Sequence, residues 1–163
     1  MIQLSVESIN LRAPYKVEQA DDNIFLFTTK QGIVYSVGFI RDSSFMKEGL
    51  YQFFLLNVSH KTARQDKDVL ETVRVIIEEF FLQEKNVMLY ICDTTDKRQA
   101  SRDRLFQIWF HTYMLNDEYS MYNEQMTIDN IRYYASVILR KDHPLHNTII
   151  GSFHDFIQKN DQR

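Results

Sequence analysis

The chain has little of what marks several whole classes of protein. Its one cysteine, Cys92, in 163 residues leaves no intrachain disulfide to form, which excludes the small disulfide-framed secreted folds. Glycine (4) and proline (2) are scarce, so collagen-like, linker-rich and low-complexity architectures are excluded too. Neither sign of charge dominates: 19 basic against 22 acidic residues leave a net charge of −3, which supplies no global attraction to nucleic acid or an acidic membrane surface. Long apolar runs are missing. The greasiest stretches, Ile24 to Phe27 and Leu50 to Leu56, fall well short of the roughly 18 residues that suggest a membrane span. With no positively charged leader, apolar core and small-residue cleavage site at its start, the expectation is a soluble cytoplasmic protein.

What is present is aromatic and patterned. Phe, Trp and Tyr make up 13% of the chain, and its length fits a single domain, 1–163, that buries roughly two thirds of its unfolded surface. Residues 1–13 hold a weak alternation, Ile2, Leu4 and Val6, expected as an edge strand or a loose N-terminal arm. From Pro14 the signals sharpen into a meander: Tyr15 to Glu18, a turn at Ala20 to Asn23, Ile24 to Thr29, a Lys30-Gln31-Gly32 turn, and Ile33 to Ile40. Phe25, Phe27, Tyr35, Val37 and Phe39 recur with period two and are expected to face the core. Leu50 to Ser59 is apolar on both alternating sets, which reads as a central strand.

Helical spacing follows. Asp68-x-x-Glu71 is a capping-box pattern ahead of Val69, Leu70, Val73, Ile76, Ile77, Phe80 and Phe81, with Asn86 as the stop. Val87 to Cys92 is the next strand, and Asp96-x-x-Gln99 opens a helix expected to reach Leu115. Ser120 to Ile128 and Ile131 to Leu139, joined at Asp129-Asn130, read as a hairpin. Pro144 opens a last helix with a stripe of Leu145, Ile149, Ile150, Phe153, Phe156 and Ile157. Strands followed by helices interleaved with more strands point to an α+β fold, a mostly antiparallel sheet (N-terminal meander plus C-terminal hairpin) packed by two or three helices.

Chemistry concentrates where the strand ending at Cys92 passes through DTTD into a helix, because a helix start gathers unpaired N–H groups and positive dipole. At about 100° per residue, Leu105, Phe106, Trp109, Phe110 and Tyr113 define a buried sector. Extended backward, it places Arg102 near its centre and Arg98 and Gln99 inside it, while Arg104 points to solvent. Two inward arginines need partners, since an unpaired buried charge costs several kcal/mol. One reading pairs them with Asp93 or Asp96, or lets them snorkel over the sheet rim. The other makes Thr94, Thr95, Arg98 and Arg102 a site for a phosphate or carboxylate of a ligand or partner.

YICDTTDKRQASRDRLFQIWF (residues 90–110) and PYKVEQADDNIFLFTTKQGIVYSVGF (residues 14–39) resemble a small bacterial family of uncharacterised proteins, a domain of unknown function. The resemblance covers most of the chain from Pro14 onward. It implies a bacterial cytoplasmic protein and brings no activity, cofactor or catalytic residue with it.

Other patterns are weaker. Cys92 and Arg98 have the Cys-x5-Arg spacing of cysteine phosphatases, but Ile91 stands where those enzymes carry histidine, the loop has no glycine, and Gln99 replaces the hydroxyl residue after the arginine. His143, His146 and His154 with Asp142 and Asp155 lack strict metal-ligand spacing, so no metal is expected. The basic residues around Trp109 do not share a helix face, which argues against nucleic acid. Tyr119, Tyr122, Tyr133 and Tyr134 would favour a protein interface if exposed and ordinary sheet packing if not. The expectation is a non-enzymatic cytoplasmic binding or interaction domain taking a protein partner or a small anionic ligand, with no cofactor and no membrane. The alternative is a small phosphate-acting enzyme built on Cys92 and Arg98.

Overall fold

Alternating and helical periods both become real elements. The structure is a computed structural model and describes residues 3–83, 85–92, 97, 99–114 and 117–162, with the backbone alone at 99–102, 105, 113 and 114. The elements run α1 (Val6–Arg12), β1 (Val17–Asp21), β2 (Ile24–Thr28), β3 (Val34–Arg41), β4 (Leu50–Asn57), α2 (Lys67–Phe80) and β5 (Val87–Ile91). They continue with α3 (Gln99–Trp109) and a π-helical turn (Phe110–Met114), then β6 (Tyr119–Ile128), β7 (Ile131–Arg140) and α4 (His146–Asn160). The strands form a seven-stranded sheet in the order β1-β2-β3-β4-β5-β7-β6. Pairing is antiparallel at β1–β2, β2–β3, β5–β7 and β6–β7. It is parallel at β4–β5, from Leu50–Val87 to Gln52–Leu89, and the connection between those two strands carries a helix, as parallel neighbours require. The α+β architecture with a mostly antiparallel sheet is as expected. No helix among the described residues is long and apolar enough to cross a membrane.

One compact unit comprises Met1–Ile40 and Phe53–Gln83. Cross-strand partners Phe25–Val37 and Phe27–Tyr35 put the predicted alternating set on one face, and Phe25, Phe27, Val37 and Phe39 are buried there. Against them α2 sets Val69, Val73, Ile76, Ile77 and Phe80, and the rings of Phe39 and Phe80 stack at 4.2 Å. The helix starts two residues before the expected box. Asp66 is the N-cap, its carboxylate accepting from the Asp68 N–H at 2.9 Å, while Glu71 pairs with Arg74. The helix stops at Phe80, capped by Phe81 rather than closed by Asn86. Residues 1–13, where alternation suggested a strand or arm, contain α1. Ser5 caps it by accepting from the Ser8 N–H at 3.1 Å, and three alternating residues are too few to outweigh a capped turn that buries Ile9. Ser8 and Arg12 tie α1 to Glu79 and Glu78 of α2.

The other unit comprises Arg41–Gln52 and Glu84–Arg163. Asp129 and Asn130 take φ of 51° and 65°, the left-handed pair that a two-residue hairpin demands and that Asn and Asp tolerate best. That turn sets the β6–β7 register from Ile128–Ile131 to Tyr119–Arg140. Met126, Ala135, Val137 and Leu139 on one face of the hairpin form a core with Leu50, Val87, Leu89 and the α4 residues Ile149, Phe153 and Ile157. The predicted stripe holds on the inner side of α4, although Leu145 is exposed. No side chain of the N-cap residue closes α4. Instead His143 Nδ1 accepts from the Leu145 N–H at 3.0 Å.

Candidate functional site

The opposite face of the β6–β7 hairpin carries polar side chains. Asn123 lies across from Ser136 and Gln125 across from Tyr134, so all four project to the face away from the α4 core. With Asp103 and Gln107, one turn apart on α3, Asn123, Gln125 and Tyr134 line a cleft of about 280 Å³. Ser136 does not line the cleft itself but steadies its wall, its fully buried hydroxyl donating to Asn123 Oδ1 at 2.5 Å. Arg132 donates to Gln125 Oε1 at 3.2 Å. Glu124 also borders the cleft, but it pairs with Ala135 of the α4 core, and alternation turns its side chain to that side. There it meets His154 Nδ1 at 2.9 Å. The carboxylate that faces the cleft is therefore Asp103.

Asp103 is only 9% exposed. Its Oδ2 accepts from Gln107 Nε2 at 2.7 Å, and among the described residues no cation pairs with it. Burial raises its pKa above the ordinary aspartate value, and the Gln107 hydrogen bond opposes that shift without cancelling it. A carboxyl held this way, at the floor of a cleft walled by carboxamides and a phenol, offers a charge-assisted acceptor to any donor that enters. It has no competing cation to displace among the described groups.

The helix expected from Asp96 to Leu115 is α3 over Gln99–Trp109, giving way to the π-helical turn Phe110–Met114, and its inward sector shows in the side chains that are described. Phe106, Trp109 and Phe110 are buried and Arg104 is exposed. Tyr90 of β5 stacks on Phe106 at 4.1 Å. Trp109 Nε1 is buried with no acceptor among the described residues. Thr94, Thr95 and Arg98 lie outside the described residues, as does the side chain of Arg102. Cys92 is 2% exposed, the setting of a small apolar residue rather than of a thiolate nucleophile. The three C-terminal histidines take separate partners: His143 meets the Lys85 carbonyl, His146 meets Asn147 and Ser120, and His154 meets Glu124. Of the tyrosines, Tyr119 is buried and Tyr122 is 38% exposed.

Sequence reasoning missed Asp103, although its signal was available. It stands three residues before Phe106 and seven before Phe110, about 20° round the helix past Phe110 and so at the border of the apolar sector. An acid at the edge of an apolar stripe is where a buried carboxylate can still reach a polar cleft, a weaker signal than an arginine at the centre.

Fold and cleft together define a mixed α+β protein in which a two-stranded hairpin carries an apolar core on one face and a polar recess on the other. The chain belongs to the DUF6169 family, a family of unknown function, which matches residues 65–155. That stretch includes every residue lining the cleft and the 90–110 block, but not residues 14–39. No curated protein matches. Among solved structures, the N-terminal domain of a ribosomal-protein-alanine acetyltransferase from Clostridium acetobutylicum ATCC 824 is similar, with 16% identity, coverage of 80% of this chain and 94% of that one, and a TM-score of 0.43. A likeness of that size carries no functional argument.

Proposed function

We propose that the protein is a non-enzymatic binding domain of the bacterial cytoplasm whose cleft takes a hydrogen-bond-donating, cationic group of a ligand or partner onto Asp103. The observation that carries this reading is a carboxyl only 9% exposed, with one neutral partner, at the floor of a polar recess. Buried ionisable groups with perturbed titration concentrate at functional sites because structural ones are ordinarily paired. A single, buried cysteine, with no second one for a disulfide within the chain, supports a reducing compartment. The chemistry favours an ammonium or guanidinium over an anion, which Asp103 repels. An anion held by Thr94, Thr95, Arg98 and Arg102, ahead of and within the start of α3, is a separate proposal with its own arm in the test.

Thermal-shift titration with lysine amide, agmatine and inorganic phosphate, comparing wild type with Asp103→Asn, tests it. Lysine amide and agmatine are expected to raise the wild-type melting temperature and to lose that effect in Asp103→Asn. Equal shifts in both proteins, or none, would refute the Asp103 reading. Stabilisation by phosphate alone, abolished by Arg102→Ala, would move the site to the arginines.

A further inference from the structure

Beside the cleft runs a sheet edge that is only partly closed. β6 is the last strand of the sheet, so alternate residues turn their main-chain N–H and C=O away from β7. The parity is fixed by two contacts. Glu118 O, on the inner side, accepts from the Lys141 N–H. Thr127, on the outer side, donates its N–H to Asp161 Oδ1 at 3.0 Å and accepts from the Gln162 N–H at 2.8 Å. The chain's own tail after α4 therefore caps the edge at Thr127 in the way an added strand would, and the Asp129 N–H donates to Gln162 Oε1 to hold the tail there. Counting back by two, the main-chain groups of Gln125, Asn123 and Met121 point to the same edge, and none has a partner among the described residues.

Edge strands left open are ordinarily blunted by charge, proline, a bulge or a covering segment. Here the covering stops at Thr127, and the uncovered residues Asn123 and Gln125 are two of those that line the cleft over Asp103. Open edge and buried acid thus share one recess.

We propose that the occupant is an extended polypeptide segment of about five residues that adds to β6 along Met121 to Gln125 and places a lysine or arginine side chain on Asp103. This rests on the cleft reading above and goes further by naming the ligand class. Main-chain hydrogen bonds to outward groups two residues apart, repeating every ~7 Å, hold the backbone of any sequence. The single cleft-facing side chain supplies the selection, because its charge complements Asp103, and Gln107, Tyr134, Asn123 and Gln125 offer neutral hydrogen-bonding partners around it. Arg132, engaged at Gln125 Oε1, discourages a second basic residue at that end.

The test is calorimetric titration of the full chain with the capped peptide acetyl-Val-Thr-Lys-Thr-Val-amide, with the same peptide carrying norleucine for lysine, with a version N-methylated at alternate residues, and with lysine amide. The capped peptide is expected to bind at least about tenfold more tightly than lysine amide, and the norleucine and N-methylated versions to lose about tenfold or more. Asp103→Asn should weaken the lysine peptide to the level of the norleucine one. Met121→Pro, which removes an outward N–H that the β6–β7 ladder does not use, at a residue that does not line the cleft, should weaken the peptide while leaving lysine amide unchanged. If that variant fails to fold, the N-methylated peptide makes the same comparison on wild-type protein. A capped peptide no tighter than lysine amide overturns the strand-addition inference and leaves the cleft reading standing. No binding of lysine amide or peptide overturns both.

Discussion

Asp103→Asn should make the protein more stable at neutral pH. The substitution keeps the shape and keeps an oxygen to accept from Gln107 Nε2, now 2.7 Å away, but removes the negative charge. Two effects oppose each other. The hydrogen bond falls from charge-assisted to neutral, a loss of about 1 kcal/mol. Against this, an ionised carboxylate only 9% exposed with no cation among the described residues costs several kcal/mol of desolvation, whereas a neutral amide in the same place, its NH2 left without an acceptor, costs about 1–3. The balance is a gain of about 1 kcal/mol or somewhat more, which for a chain of this length is about 2–4 °C in Tm. The pH dependence carries the sign. Because burial raises the folded-state pKa of Asp103, the folded protein holds this proton more tightly than the unfolded chain does, and the penalty is full above the folded pKa. As pH falls through the folded pKa towards the unfolded value near 3.8, wild type takes up the proton and the advantage of Asp103→Asn disappears. Urea denaturation of both proteins between neutral and acid pH measures the difference directly. If Asp103→Asn is less stable than wild type by more than about 1 kcal/mol at neutral pH, the carboxylate has a fixed cation after all. Asp103 is then scaffold, and the cleft reading loses its carrying observation.

Three further outcomes follow from contacts elsewhere. A Cβ added at Gly38 would lie 2.5 Å from Phe54 Cζ and 3.0 Å from the Asn23 carbonyl oxygen. Gly38→Ala should therefore cost about 1–3 kcal/mol in urea denaturation, with part of the loss recovered in Gly38→Ala/Phe54→Leu, and an uncoupled pair would refute the contact. Asp66 caps α2 and accepts from the Tyr15 hydroxyl at 2.5 Å, and that bond holds its pKa below the ordinary value. Asp66→Ala should lose about 1–2 kcal/mol at neutral pH; with a depressed folded pKa the loss is full above the ordinary aspartate value and vanishes as pH falls through the folded one, and a deficit unchanged at acid pH would count against this cause. Trp109→Phe removes a buried N–H with no acceptor among the described residues, so the loss of ring area is offset and stability should change by no more than about 1 kcal/mol, against about 3–5 for Phe110→Ala; a comparable loss in both, by thermal melts, would mean the indole N–H is satisfied.

Local signals carried far along the chain. The meander, the hairpin with its Asp129-Asn130 turn, and the inner stripes of α2 and α4 were legible because each rests on a period or a turn residue within a few positions. The first helix was not, because a three-residue alternation and a capped turn compete there, and the contacts of Ile9, Ser8 and Arg12 that favour the helix come from outside it or from α2, more than sixty residues away for the two polar ones. The cap of α2 was misplaced by two residues since Asp66 and Asp68 are both plausible caps, and only Asp66 also reaches Tyr15. In the site, the inward sector of α3 was legible by angle, and Asp103 sits at its border, about 20° past Phe110, where angle alone does not single it out.

By itself, then, the sequence determined an α+β class, the strand-to-helix block and the inward face of α3, because those depend on period and angle alone. Only the tertiary structure decided that α3 meets the polar face of β6 and β7, that Glu124 turns away to His154 while Asp103 stays in the recess, and that the tail after α4 closes the β6 edge at Thr127 and no further. The physical reason is that register and edge exposure are relations between segments tens of residues apart, and no local propensity encodes which main-chain groups are left without a partner.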